Sequence, residues 1–255
     1  MGLVLSALYN GLVNGANHCF VNAVVQSVVR EPHILYHLAR LAAAQDSGDV
    51  DGLAGKPVTA ELVAVARELL HDDNEDFASL TRQPRHGRRD GRCSDARRLR
   101  QLLAAREGCQ HLQYGQRCPA ETTEVLFQAL HEESERADGT SWISDVARIE
   151  TTTTTTCSCC DHVSTRNEQL WSLPLRIMAT LQLSLEKFAE PEKLTGDDSY
   201  ACPDCCVEPT DRCEAERQIN VTKVPLLLVV QIRRFAAASA PLCSAPLPLS
   251  SRLSF

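Results

Sequence analysis

Aromatic residues are scarce in this 255-residue chain: two Trp, four Tyr and six Phe. Proteins that grip single-stranded nucleic acid interleave aromatics with their cations so that bases can stack. The scarcity, together with a net charge of −7, argues against a nucleic-acid partner. No apolar run approaches the roughly 20 residues needed to cross a bilayer. No Lys or Arg precedes Arg30, so the charged start of a secretory signal is missing. The expected setting is therefore intracellular and reducing, in the cytoplasm or nucleus. Met1-Gly2 with Ser6 fits an N-myristoylation pattern. With no polybasic patch nearby, one acyl chain would give no stable membrane anchor.

Twelve cysteines are present, and they cluster. A chain of this length can build one large domain or two small ones without disulfides, and in a reducing compartment paired cysteines are better read as metal ligands. Cys157 with Cys160, and Cys202 with Cys205, form two Cys-x-x-Cys knuckles that can close a tetrahedral four-thiolate site, which suits a structural zinc with no open position. Cys159 and Cys206 leave open which sulfurs bind, and Cys213 is a spare. The competing reading is stray thiols or a redox pair, but a thioredoxin-like pair needs a strand-to-helix junction that is not evident here.

The most informative stretch is Gly11 to Gln26, GLVNGANHCFVNAVVQ. Asn14-Gly15 is a turn signal. After Cys19, Phe20, Val21, Val24, Val25 and Val28 are spaced like one face of a helix ending near Arg30, just before Pro32. So many β-branched residues make a helix that survives only if buried. Cys19 would then open that helix, where unpaired N–H groups and the dipole favour thiolate and hence nucleophilic chemistry. The alternative is a small buried cysteine in a core helix.

The remaining chain reads as α+β. A helical pattern runs from His33 to Ala44 through Leu35, Leu38 and Leu41, and a Gly/Asp-rich loop spans Asp46 to Lys56. Thr59 is placed to cap a helix through Leu62, Val65, Ala66, Leu69 and Leu70. Thr81 to Arg100 is strongly basic and reads either as a solvated loop leading into a helix over Asp95 to Arg106, with Leu99, Leu102 and Leu103 buried, or as a docking patch for an acidic partner or nucleic acid; without interleaved aromatics the first is favoured. An amphipathic helix after Tyr114 carries Val125, Leu126 and Leu130 on its apolar side and acids on the other. From Trp142 the pattern turns to strand, ending in six threonines at 151–156. Leu181 to Phe188 is helix-like, and Glu190 to Ser199 reads as loop. Ile219 and Val221 alternate as in a half-buried strand, and Leu226 to Val230 reads as a strand buried on both faces. After Phe235 the chain is small, Pro- and Ser-rich, and expected to be disordered.

Several of these segments resemble the ubiquitin-specific proteases, a papain-like cysteine peptidase family. Gly11, Leu12, Asn14, Asn17, Cys19, Phe20, Asn22, Ala23 and Gln26 match its cysteine box in register, with Ala16 in place of a glycine and His18 in place of a threonine. Glu124, Val125 and Leu126, with Glu121, match part of a second motif whose two glutamines are missing. Phe188, Glu192, Lys193, Leu194, Gly196, Asp197, Asp198 and Tyr200 with the following cysteines resemble the approach to the family's second zinc knuckle. Pro225, Leu228, Arg233, Arg234 and Phe235 resemble its palm strand.

The resemblance implies a hand-like fold: a helical thumb over 1–141, zinc-tipped β fingers over 142–219 and the start of an antiparallel palm sheet over 220–235, with 236–255 a tail. It implies Cys19 as nucleophile, Asn14 as donor to the oxyanion, and Cys157, Cys160, Cys202 and Cys205 as zinc ligands. Ubiquitin and ubiquitinated proteins are the implied partners, and isopeptide hydrolysis at the C-terminal glycine of ubiquitin is the implied reaction. His18 as base is disfavoured, because adjacent helical residues point apart. None of the eight histidines stands in the family's histidine box, so the expected activity of this chain alone is slow or absent. A non-catalytic ubiquitin-binding or scaffold module with a structural zinc is the alternative.

Overall fold

A computed structural model describes residues 12–14, 17–46, 53–70, 95–208 and 210–233. It divides into two compact units that meet between Ala147 and Arg148. The expectations for residues 1–10, for Ala16, for most of the loop after Asp46, for the arginines of 82–92 and for 236–255 fall outside the described residues.

The first unit is helical. Helix α1 is Cys19–Val28, α2 is Pro32–Asp46 and α3 is Pro57–Leu70. Next come α4, Arg97–Ala104, a 3₁₀ turn at Gln110–Gln113, α5, Pro119–Ser134, and α6, Trp142–Ala147. Phe20, Val21, Val24, Val25 and Val28 are all buried, which supplies the burial that a β-branched helix needs. Proline opens α2, α3 and α5, where its missing N–H is one of the helix's unbonded donors anyway. Helix α5 is the hub: it packs against α1, α3, α4 and α6 and buries Leu126, Phe127, Ala129 and Leu130. In α2 the buried stripe is Ile34, Leu38, Ala39 and Ala42; Leu38 is buried as expected, whereas Leu35 and Leu41 are only half-buried.

Two helix starts differ from expectation. Thr59 does not cap α3, which begins two residues earlier at Pro57. Instead Glu133 of α5 does so from a distance of 74 residues: its carboxylate accepts the N–H groups of Val58 (2.9 Å) and Thr59 (2.8 Å) and the Thr59 hydroxyl (2.7 Å). A full negative charge at the positive end of a helix dipole satisfies donors that α3 cannot pair internally. Trp142–Ala147 is helical rather than strand. Ser141 and Ser144 explain it, because each backbone N–H donates to the other's hydroxyl (2.7 and 3.1 Å) in the manner of a capping box.

The second unit is a β structure with one helix. Strands β1 (Ile149–Cys157), β2 (Val163–Leu170), β4 (Glu192–Leu194) and β5 (Ala215–Lys223) form an antiparallel sheet in the order β2-β1-β5-β4. Strand β3 (Leu173–Arg176) pairs with β6 (Val230–Arg233). This pair is parallel, not antiparallel as the expected palm start would be. Helix α7, Leu181–Ala189, is capped by the Thr180 side chain and packs on β3 and β5. Ile149, Leu173 and Leu175 form the buried core here, with Leu170, Leu185, Phe188, Val230 and Ile232 around them. The apolar run before β6 is not a buried strand: Leu226 is 69% exposed and Leu228 39%. Among the described residues of this segment, Val230 to Arg233 pair with the four residues of β3. Among the described residues no helix is long and apolar enough to cross a membrane.

The buried cap gives a test. Glu133→Ala should lower stability by about 1–3 kcal/mol, the cost of unpairing buried donors from a charged acceptor, read as an earlier urea midpoint with unchanged slope. The exposed Glu107→Ala should move it by less than about 0.5 kcal/mol.

Candidate catalytic loop and metal centre

Cys19 is the first residue of α1 and is exposed. The reading of a buried core cysteine is therefore overturned, because the apolar face of α1 begins one residue later, at Phe20. Asn14 is also exposed, on the segment that leads into the helix. Two features shape that segment, and neither was legible as such. Asn17 has φ +58°, a left-handed conformation that asparagine tolerates better than most residues. Asn22, one turn inside α1 and buried, donates from Nδ2 to the Val13 carbonyl at 3.1 Å. That bond ties the chain beside Asn14 to the helix that carries Cys19. The Asn22 Oδ1 atom is buried and has no partner among the described residues.

His18 stands at the N-cap of α1 without a side-chain capping bond. Burial holds its pKa below the ordinary value, helped by the positive charges of Arg100 and Arg97, with Asp95 opposing. The imidazole is thus neutral at neutral pH.

Arg100 departs from the solvated-face reading of the basic stretch. It is buried, donates from Nε to the Leu112 carbonyl at 2.7 Å and from Nη2 to the Gly115 carbonyl at 3.3 Å, and lies 5.1 Å from the centre of the Phe20 ring. It thereby joins α4, the 3₁₀ turn and the residue after Cys19. Burial lowers its pKa, but an arginine keeps its charge. A guanidinium that satisfies two carbonyls inside a protein is structural in a way a run of arginines cannot announce.

The second centre lies at the far end of the four-stranded sheet. Cys157 is the last residue of β1, and Cys160 follows in the turn to β2. Cys202, Cys205 and Cys206 occupy the turn before β5. The sulfurs of Cys157, Cys160, Cys202 and Cys205 all lie within 4.8 Å of one another. Cys157 is 3.7 Å from Cys205, and Cys160 is 3.6 Å from Cys202. A tetrahedral site with metal–sulfur bonds of about 2.3 Å has sulfurs about 3.8 Å apart. The four cysteines chosen from spacing are therefore brought together, and they fit a metal ion. The Cys159 N–H donates to Cys157 Sγ (3.4 Å) and the Cys202 N–H to Cys206 Sγ (3.3 Å). The first of these bonds is the main reason the Cys157 pKa falls to about 6. Cys205 and Cys213 move the other way, chiefly by sharing protons with neighbouring sulfurs, Cys213 up to about 12.

The model of the family "Ubiquitin carboxyl-terminal hydrolase" matches residues 10–245. The chain belongs to that family. Ubiquitin carboxyl-terminal hydrolase 15 of Arabidopsis thaliana is 25% identical over 88% of this chain and 23% of its own length. Ubiquitin carboxyl-terminal hydrolase 46 of Caenorhabditis elegans is 30% identical over 39% of this chain and 23% of its own. Ubiquitin carboxyl-terminal hydrolase 13 of Saccharomyces cerevisiae is 24% identical over 49% and 17%. The matched region is thus under a quarter of the length of each of these relatives.

Two tests follow from the geometry. Arg100→Met should cost about 2–3 kcal/mol by stranding two carbonyls, seen in urea unfolding. In the reduced, metal-free chain one thiolate should titrate near pH 6 in the ultraviolet thiolate band and vanish in Cys157→Ser. Because this folded pKa lies below the unfolded value, the thiolate's contribution to stability is full above pH 9 and is lost as pH falls through about 6.

Proposed function

We propose that this chain carries the nucleophile and the oxyanion donor of a thiol-dependent hydrolase that cleaves isopeptide bonds at the C-terminal glycine of ubiquitin. The observation that carries the reading is an exposed Cys19 opening α1 inside a matched family domain. The Cys19 sulfur attacks the isopeptide carbonyl, and the Asn14 amide donates to the oxyanion that forms. The lysine amine leaves with a proton, and water then cleaves the thioester, restoring the thiol and freeing the ubiquitin carboxylate. A base and its orienter complete such chemistry. The motifs assign neither role to a residue of this chain, so the chain alone should turn over slowly or not at all.

In this reading residues 1–141 act as the thumb, 142–219 as the fingers and 220–235 as the beginning of the palm. Cys157, Cys160, Cys202 and Cys205 hold a structural zinc that braces the fingers, and ubiquitin is the bound partner. An intracellular, reducing compartment, cytoplasm or nucleus, suits paired cysteines that serve as metal ligands.

Ubiquitin bearing a C-terminal vinyl sulfone should label Cys19, and Cys19→Ser should abolish labelling. Asn14→Ala should slow the single-turnover acylation of Cys19 by a ubiquitin C-terminal thioester by about 10²–10³-fold, the usual cost of an oxyanion donor. Binding without labelling would instead make the chain a ubiquitin-binding scaffold. Multiple turnovers of ubiquitin-rhodamine by this chain, abolished by Cys19→Ser, would overturn the expectation of impaired activity. Cys202→Ser should lose the zinc, checked by metal analysis of the purified chain.

A further inference from the structure

The four knuckle cysteines do not exhaust the sulfurs at the tip of the sheet. Cys213 lies 3.5 Å from Cys205 and 3.5 Å from Cys206. Its sulfur also falls within 4.8 Å of those of Cys157 and Cys159. Cys157, Cys205 and Cys213 are therefore mutual neighbours, with Cys206 and Cys159 on either side. Cys157 is shared between the four knuckle sulfurs and the trio with Cys159 and Cys213, and Cys205 between the four and the trio with Cys206 and Cys213.

Backbone pairing, not a chance side-chain rotamer, puts Cys213 there. It exchanges two hydrogen bonds with Tyr200, N–H to carbonyl in both directions at 2.8 Å. The next residue, Glu214, accepts the Ser158 N–H at 2.9 Å. The segment is thus stitched to both knuckles just before β5 begins. A cysteine held this way faces sulfur on two sides.

We propose that the tip of this sheet is a binuclear thiolate cluster that takes two zinc ions. Cys160 and Cys202 are terminal ligands of the first ion. Cys213 with Cys206 or Cys159 supplies the terminal ligands of the second, and Cys157 and Cys205 bridge the two. Bridging is what lets seven sulfurs serve two tetrahedral ions: six suffice, two of them shared. Each thiol that binds releases its proton to solvent, so uptake is opposed by acid. Soft thiolate ligands in tetrahedral array select zinc among the abundant divalent ions. The inference rests on the first zinc site proposed above and adds a second ion to it.

The test is metal stoichiometry on the full chain, reconstituted with zinc under anaerobic reducing conditions and passed through a desalting column. Two zinc ions per chain are expected. The double variant Cys206→Ser/Cys213→Ser should keep one, with its far-ultraviolet circular dichroism unchanged. One zinc in the unsubstituted chain overturns the second site and leaves the first standing. None overturns both. The chain loaded with cadmium-113 needs no variant and should give two resonances in the thiolate region. A single resonance, or a disulfide between Cys206 and Cys213 that persists in the reduced preparation, overturns the proposal.

Discussion

Strand β1 has to be held at two ends by different physics, and the second unit is arranged around that requirement. Ile149 at its start is buried in the apolar core with Leu173 and Leu175. Cys157 at its end is eight residues further, about 27 Å away at about 3.4 Å per residue. Between them lies the threonine run, only half-buried after Thr151, where β-branched side chains and ladder hydrogen bonds to β2 and β5 hold the strand but no core backs it. The sulfur cluster therefore takes over where apolar packing stops. A small apolar core cannot grip a long sheet along its whole length, and at the tip the sulfurs of Cys157, Cys160, Cys202 and Cys205 gather where they could hold a metal ion.

In the first unit the corresponding constraint is on helix ends. The α5 hub both fills the core and spends polar groups on its neighbours: Glu133 caps α3, and His131 meets the Ser141 hydroxyl at 2.8 Å just before α6. The start of α1 is treated differently. Its N-cap side chain makes no capping bond, so the leading turn, with Cys19 in it, stays open to solvent. Asn22 from inside and Arg100 from the side hold that open turn in place without covering it. The turn is thus exposed and supported at once.

Membership in the ubiquitin carboxyl-terminal hydrolase family rests on a match over residues 10–245. It does not by itself account for Cys213. That residue comes to the cluster by pairing with Tyr200, a contact made by two backbone segments and invisible in any Cys-x-x-Cys spacing.

The sequence by itself determined the local, periodic and short-range features. The buried face of α1, the position of Cys19 at its start, the strand nature of the threonine run and the two knuckles were all legible, because each depends on residues within a few positions of one another. Tertiary structure alone decided the rest. Glu133 read as a surface acid until α3 lay across its carboxylate, and Arg100 read as one of a run of solvated cations until two carbonyls closed on it. Leu226 and Leu228 read as core, but pairing with β3 begins only at Val230 and leaves both exposed. In each case the deciding partner is remote in the chain, and a buried charge or an exposed leucine takes its meaning only from what the fold sets beside it.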